Sequence, residues 1–188
     1  MSKRTRFLIT QSLLGSWLYQ YNAYDIEQAH KDFLSTLNRE QRKPTKAILD
    51  GIQFENMVTA YCEGAEPNKE HKWFHSIKEC GDVLKGAQFQ VPVYKDKIID
   101  GIPFLLYGRI DALKAGIIYD LKFSHSYEPG KYLASPQHPM YFECCPEAVK
   151  FIYIISNGSE MYQESYSRTD SPTIDSTIME FIHYLEFT

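Results

Sequence analysis

The sequence predicts an α/β or α+β fold with a mixed central β-sheet flanked by helices, and three observations carry that prediction. The first half places apolar residues at helical spacing, the stretch from Gly86 to Phe123 alternates with the two-residue period of strands, and the remainder reads as a helix, two strands and a closing helix. With 188 residues, 44% apolar and 23% charged, and with no repeat, low-complexity tract or Gly/Ser linker, residues 1–188 read as one globular domain. No run approaches the roughly 20 apolar residues that cross a bilayer, which excludes a membrane span of that kind.

The start, Met1 to Arg6 followed by Phe7-Leu-Ile, imitates a signal peptide, but Thr10, Gln11 and Ser12 interrupt the apolar run and no small-residue cleavage site follows, so it is read as mature protein. Leu13, Leu14, Trp17 and Leu18 predict a helix over 10–21, and Ala29, Phe33 and Leu37 predict a second over 26–37. A third runs from about Pro44 to Cys62, with proline suited to its first turn and Gly64 to its end. Its period sets Ile48, Ile52, Glu55 and Thr59 on one stripe, so a glutamate shares an apolar face. Gly51 lies one turn earlier, and a glycine there costs about 1 kcal/mol relative to alanine, which predicts the close approach of another element.

Phe89, Val91 and Val93 alternate as a strand, with a turn expected at Lys95 to Lys97. Residues 102–113 form a long strand, Lys114-Ala-Gly116 a tight turn, and residues 117–123 the antiparallel partner. A proline-rich segment, 124–139, leads into a short helix that stops by Pro146. Residues 149–155 and 161–168 are strands around the turn Asn157-Gly158, and Ser171-Pro172 opens an amphipathic helix through Ile174, Ile178, Phe181, Ile182 and Leu185.

The formal net charge of −4 argues against nonspecific coating of nucleic acid. A cation site, however, contributes its own carboxylates, and the bound ion restores positive potential where phosphate arrives. Basic residues gather at Lys3, Arg4 and Arg6 and again at Arg39, Arg42, Lys43 and Lys46, where solvated surface charge is an equally good explanation. Four cysteines, two of them the adjacent Cys144 and Cys145, do not make a disulfide scaffold and favour a reducing, cytoplasmic setting.

The chemistry concentrates in the hairpin from Gly108 to Lys122. Asp120 and Lys122 project from one face of their strand. With a loop of two or four residues Asp111 lies opposite Asp120, whereas a three-residue loop without a bulge sends it to the other face. Two carboxylates facing each other repel, so a positive partner is required between them. Lys122 supplies one charge, and a divalent cation bound by Asp111, Asp120 and, from the third helix, Glu55 would supply more. Hard oxygen donors favour Mg2+ or Mn2+, and such an ion beside a lysine activates water and stabilises charge during in-line attack on a phosphodiester.

Asp111, a tight hairpin and Asp120-Leu-Lys122 resemble the core of the PD-(D/E)XK nuclease superfamily, whose fold is restriction-endonuclease-like. Gly51-Ile-Gln-Phe-Glu55 resembles the upstream helix motif of the branch containing lambda exonuclease and the RecB-type nuclease domains, and Gln137-His-Pro-Met-Tyr141 fits its glutamine-x-x-x-tyrosine motif. The four pieces occur in family order over about half the chain.

The resemblance implies a metal-dependent deoxyribonuclease, an exonuclease in preference to an endonuclease, acting on linear DNA in phage or mobile-element recombination or repair. It implies that Glu55, Asp111, Asp120 and the backbone carbonyl of Leu121 bind metal, and that Lys122 activates the attacking water or holds the phosphate. Gln137 would position the lysine or the DNA, Tyr141 would support it by packing or a phosphate contact, and Ser12, near Arg6, would bind a terminal phosphate, although an ordinary helix cap or surface serine is the better explanation of Ser12. A ring-shaped homo-oligomer and a recombination or single-strand annealing partner are further implications.

Pro136 and Pro139 flank Gln137 and predict a helix that starts late or kinks. Cysteines are absent from both ends of the domain, so the iron-sulfur cluster of some relatives is not expected. Two alternatives remain: a zinc module from Cys62, His71, His75 and Cys80, and a DNA-binding or scaffolding protein that keeps the fold without catalysis.

Overall fold

The computed structural model describes residues 6–187. Its elements run β1 (Phe7–Thr10), α1 (Gln11–Tyr19), α2 (Ile26–Leu37), α3 (Lys46–Cys62), α4 (Phe74–Leu84), β2 (Gln88–Ile99), β3 (Ile102–Lys114), β4 (Ile117–Phe123), α5 (Gln137–Cys144), β5 (Lys150–Ser156), β6 (Met161–Ser167) and α6 (Asp175–Glu186). Among the described residues no helix is long and apolar enough to cross a membrane.

The strands form one mixed six-stranded sheet in the order β1-β3-β4-β5-β6, with β2 on the other edge of β3. β1 lies parallel to β3 and β4 parallel to β5, while the β2/β3, β3/β4 and β5/β6 pairs are antiparallel. Because β2 takes one edge of β3 along its length, β1 and β4 share the other. β1 pairs with Phe104 to Tyr107 and β4 with Ala112 to Lys114, which leaves the edge from Gly108 to Asp111 without a strand.

Helix α5 fills that gap. The Tyr141 ring presses on Gly108, where an added Cβ would come within 2.2 Å of it. The Tyr141 hydroxyl donates to the Arg109 carbonyl at 2.8 Å, satisfying an acceptor that no neighbouring strand reaches. Pro139 is the third residue of α5, inside the first turn, so its missing N–H interrupts no helical bond and the helix needs no kink.

Three apolar clusters hold the layers together. One packs α1, α2 and α6 on the β1 end of the sheet, around Trp17, Phe33, Leu106 and Phe181. A second packs Phe54, Val58 and Tyr61 of α3 and Ile77 and Leu84 of α4 against Ala112, Tyr119 and Ile154. A third packs Tyr141 and Phe142 of α5 against Ile110, Ile118, Phe151 and Tyr153. The mixed sheet flanked by six helices is the restriction-endonuclease-like α+β architecture expected from the sequence.

Several local expectations are corrected. Phe7 to Thr10 form a strand, and Thr10 then caps α1 by accepting from the Leu13 amide. β2 runs through 95–97 to Ile99, and the turn lies at Asp100 and Gly101, both at positive φ. Helix α6 begins at Asp175, later than Ser171. The buried face of α3 is Phe54, Val58 and Tyr61, whereas Ile48 and Ile52 are about half exposed, so Glu55 stands at the edge of the packed face and not within an apolar stripe. An added Cβ on Gly51 would meet Phe123 at 4.0 Å, ordinary contact, so no close approach demands this glycine.

The strand phase also departs from simple alternation. Phe89 packs in the same cluster as its partner Ala112, whereas Val91 and its partner Ile110 pack in the cluster beneath α5. Residues two apart in a regular strand share a face, so both strands change phase at the row between them, which is Gln90 and Asp111. Gln90 has φ 53°, in the left-handed region, and the register skips it.

Candidate active site

The β3/β4 hairpin closes through two residues, Ala115 and Gly116, at φ 49° and 74°, the conformation whose twist matches antiparallel strands. Ala112 pairs with Tyr119, so the same register carried one step further sets Asp111 opposite Asp120. The ladder has opened at that row. The Asp111 carboxylate enters the space and accepts from the Leu121 amide through Oδ2 at 3.1 Å.

Asp120 is buried on the face of the sheet that carries Tyr153, its partner in β5. Its Oδ1 accepts from the Gln137 carboxamide at the start of α5. Its Oδ2 is buried without a well-directed hydrogen bond among the described residues and faces the Lys122 ammonium at 2.8 Å. Glu55 approaches from α3, and its Oε1 accepts from Gln90 Nε2 at 2.7 Å. Glu55 and Asp111 line a cavity with about 10 Å³ open to the centre of a water-sized body, room for about one water.

Each carboxylate therefore has one oxygen anchored by a protein donor: Glu55 by Gln90, Asp111 by the Leu121 amide and Asp120 by Gln137. The second oxygens of Glu55 and Asp111 have no hydrogen-bond partner among the described residues, and that of Asp120 has only the lysine charge. No three His, Cys, Asp or Glu side chains among the described residues close on a single point. In kind, the donors suit a hard divalent cation: all are carboxylate oxygens, and one oxygen of each is fixed by a protein donor.

Electrostatics marks the same need for positive charge. Burial, then the charges of Asp120 and Glu55, push the Asp111 carboxyl up to about 8. Burial and Asp120 also raise Glu55, against the opposing effects of Lys122 and the Gln90 hydrogen bond. Burial alone would lower Lys122, but Asp120 and Asp111 outweigh it and hold the ammonium above its ordinary range.

The other sequence-derived residues divide in two. Ser12 and Tyr141 line one cleft of about 260 Å³ at the gap in β3, together with Gln11, Tyr107 and Arg109. Arg6 is elsewhere: it pairs with Asp96, and its neighbour Phe7 pairs with Phe104, seven residues or about 23 Å along β3 from Asp111. Lys3 and Arg4 lie outside the described residues. Of the residues considered for zinc, Cys80 is buried in the core under α3 while His75 is exposed, and no cluster of three candidate ligands forms among the described residues.

Two features escaped the sequence. Gln90 looked like an ordinary strand residue, and only its φ exposes it. Tyr132, from the segment before α5, stacks on Tyr153 with ring centres 4.4 Å apart, next to the Asp120 row. Glu164 fixes that segment by accepting from Tyr127, Tyr166 and the Gly130 and Tyr132 amides. Stacked aromatics with distant sequence numbers leave no local pattern to read.

No family model matches the chain, and no curated protein matches it in sequence. Solved structures do resemble it. The crystal structure of SSO0001 matches with a TM-score of 0.57 at 14% identity, over 97% of this chain and 78% of that one. The crystal structure of LHK-Exo in complex with dAMP matches with a TM-score of 0.50 at 13% identity, over 95% of this chain and 90% of that one. At such identities the likeness is one of fold.

Proposed function

We propose that the chain, acting as a single unit over residues 1–188, is a divalent-metal-dependent deoxyribonuclease that hydrolyses phosphodiester bonds of linear DNA from an end. The observation that carries this reading is the set of three carboxylates, each with one oxygen anchored and the other left over, beside Lys122. The fold shared with LHK-Exo, an exonuclease by its name and solved with a nucleotide, supports the same assignment.

Glu55, Asp111, Asp120 and the Leu121 carbonyl would hold Mg2+ or Mn2+, which when bound would lower the pKa of water and offset charge on the phosphate. Lys122 keeps its proton next to Asp120 and so presents a cation to a phosphate oxygen or to the attacking water. Gln137 fixes Asp120 from α5 and holds its carboxylate toward Lys122. Tyr141 serves by packing, its hydroxyl being committed to the Arg109 carbonyl, and it walls the cleft in which Ser12 would meet a terminal phosphate. Arg6 would act on DNA only at a distance from the scissile bond.

The test is incubation of the protein with end-labelled linear duplex, single-stranded DNA and covalently closed circles, in Mg2+, in Mn2+ and in EDTA. Loss of linear DNA with either metal, none in EDTA, and survival of the circles is the expected result. Cutting of circles would replace end-dependent action by an endonuclease. A folded protein that binds DNA and cleaves nothing would instead make the fold a noncatalytic binding or scaffolding one.

A further inference from the structure

Gln90 is the one residue of β2 held in the left-handed region within the strand's paired length, at φ 53°. A non-glycine residue there is strained, and strain of this kind persists where surrounding structure enforces it, often at functional sites. It stands in the row of Asp111, where both β2 and β3 change phase, and it spends its carboxamide on Glu55 at 2.7 Å. That bond crosses from an exposed strand residue to helix α3, beside the packing of Phe89 on the cluster that holds Phe54 and Val58.

The geometry points to Gln90 as a positioning residue for cation binding by Glu55: its Nε2 fixes Oε1, which leaves the second oxygen as the one presented to the ion. This parallels Gln137 on Asp120 and the Leu121 amide on Asp111, and it completes a set of one anchor for each carboxylate. Outer donors of this sort orient ligands and typically contribute 10- to 100-fold in metal affinity. The inference rests on the proposed metal site and extends it to a residue that touches neither ion nor substrate. The left-handed backbone gives a second handle, since glycine at this position relieves the strain while deleting the anchor.

The experiment is calorimetric titration of Mn2+ into the full chain and into Q90A, Q90G, E55Q and the E55Q/Q90A double variant, with a thermal melt of each in EDTA. Wild type binds Mn2+, Q90A and Q90G bind about tenfold more weakly, and Q90A adds nothing in the E55Q background because its effect runs through Glu55. Q90G melts above wild type in EDTA, so weaker binding there comes with a more stable fold, which a purely structural role would not produce. Q90A within twofold of wild type while E55Q loses affinity overturns the role of Gln90 and leaves the metal site standing. A wild type that binds no Mn2+ overturns both.

Discussion

Asp111 carries the sharpest consequence of the site at the level of single residues. Its carboxyl is pushed up to about 8 by burial and by Asp120 and Glu55, from an ordinary value near 3.8. Between those limits the folded protein holds a proton that the unfolded chain has released, so metal-free stability falls as pH rises through the window. Asp111→Asn removes the charge yet keeps an acceptor for the Leu121 amide. In EDTA at pH 8 this variant should therefore be more stable than wild type by about 1 kcal/mol or more, and near pH 4 the advantage should vanish. Denaturant melts at the two pH values check it, and a less stable variant at pH 8 would show that the carboxylates are already compensated. Asp111, Asp120 and Lys122 were legible because a two-residue turn and a two-residue period leave few registers for the hairpin. Glu55 was singled out by an apolar stripe that the fold does not use, since α3 buries Phe54, Val58 and Tyr61. Gln90 was not legible, because a left-handed residue within an alternating strand has no signature in composition or period.

At the level of elements, the interrupted edge of β3 borders the candidate site. β1 and β4 pair with different ends of that edge, and α5 supplies through Tyr141 what a strand would have supplied. Gly108→Ala should destabilise the fold by about 1–3 kcal/mol, since its Cβ would meet the Tyr141 ring at 2.2 Å. Gly51→Ala should have the opposite sign, a gain of about 0.5–1 kcal/mol, because Phe123 leaves space for a methyl group within a helix interior. Equilibrium urea unfolding of the pair measures both, and a loss at Gly51 would mean that α3 tolerates nothing larger there. The long strands and the helices with regular apolar spacing were readable in advance. β1 was not, because four residues after a basic segment resemble a leader more than a strand, and it is the parallel ladder with β3 that defines it. The turn moved from 95–97 to 100–101 because charged residues suggested a break where Lys97 in fact bridges Glu143 and Asp175.

At the scale of the whole molecule, the proposed function has an acidic chain with a net charge of −4 hold a polyanion. On the proposed function, a cation held by Asp111, Asp120 and Glu55 forms part of the DNA-binding surface and adds positive potential where phosphate would arrive. Affinity for a blunt duplex, followed by fluorescence anisotropy, should accordingly rise at least about tenfold from EDTA to Ca2+ at constant ionic strength. Equal affinity in the two conditions would place the DNA elsewhere on the protein. The fold class was legible from the order of elements, whereas the distance of Arg6 from the carboxylates was not, since only the β1/β3 register reveals it. The most direct measurement is single-turnover cleavage of end-labelled duplex in Mg2+ by wild type and by Lys122→Ala, with circular dichroism of both. Metal-dependent cleavage by wild type and a loss of at least about a hundredfold in a variant that remains folded are the expected results. Equal rates for the two proteins, or no cleavage by folded wild type, would contradict the proposed function.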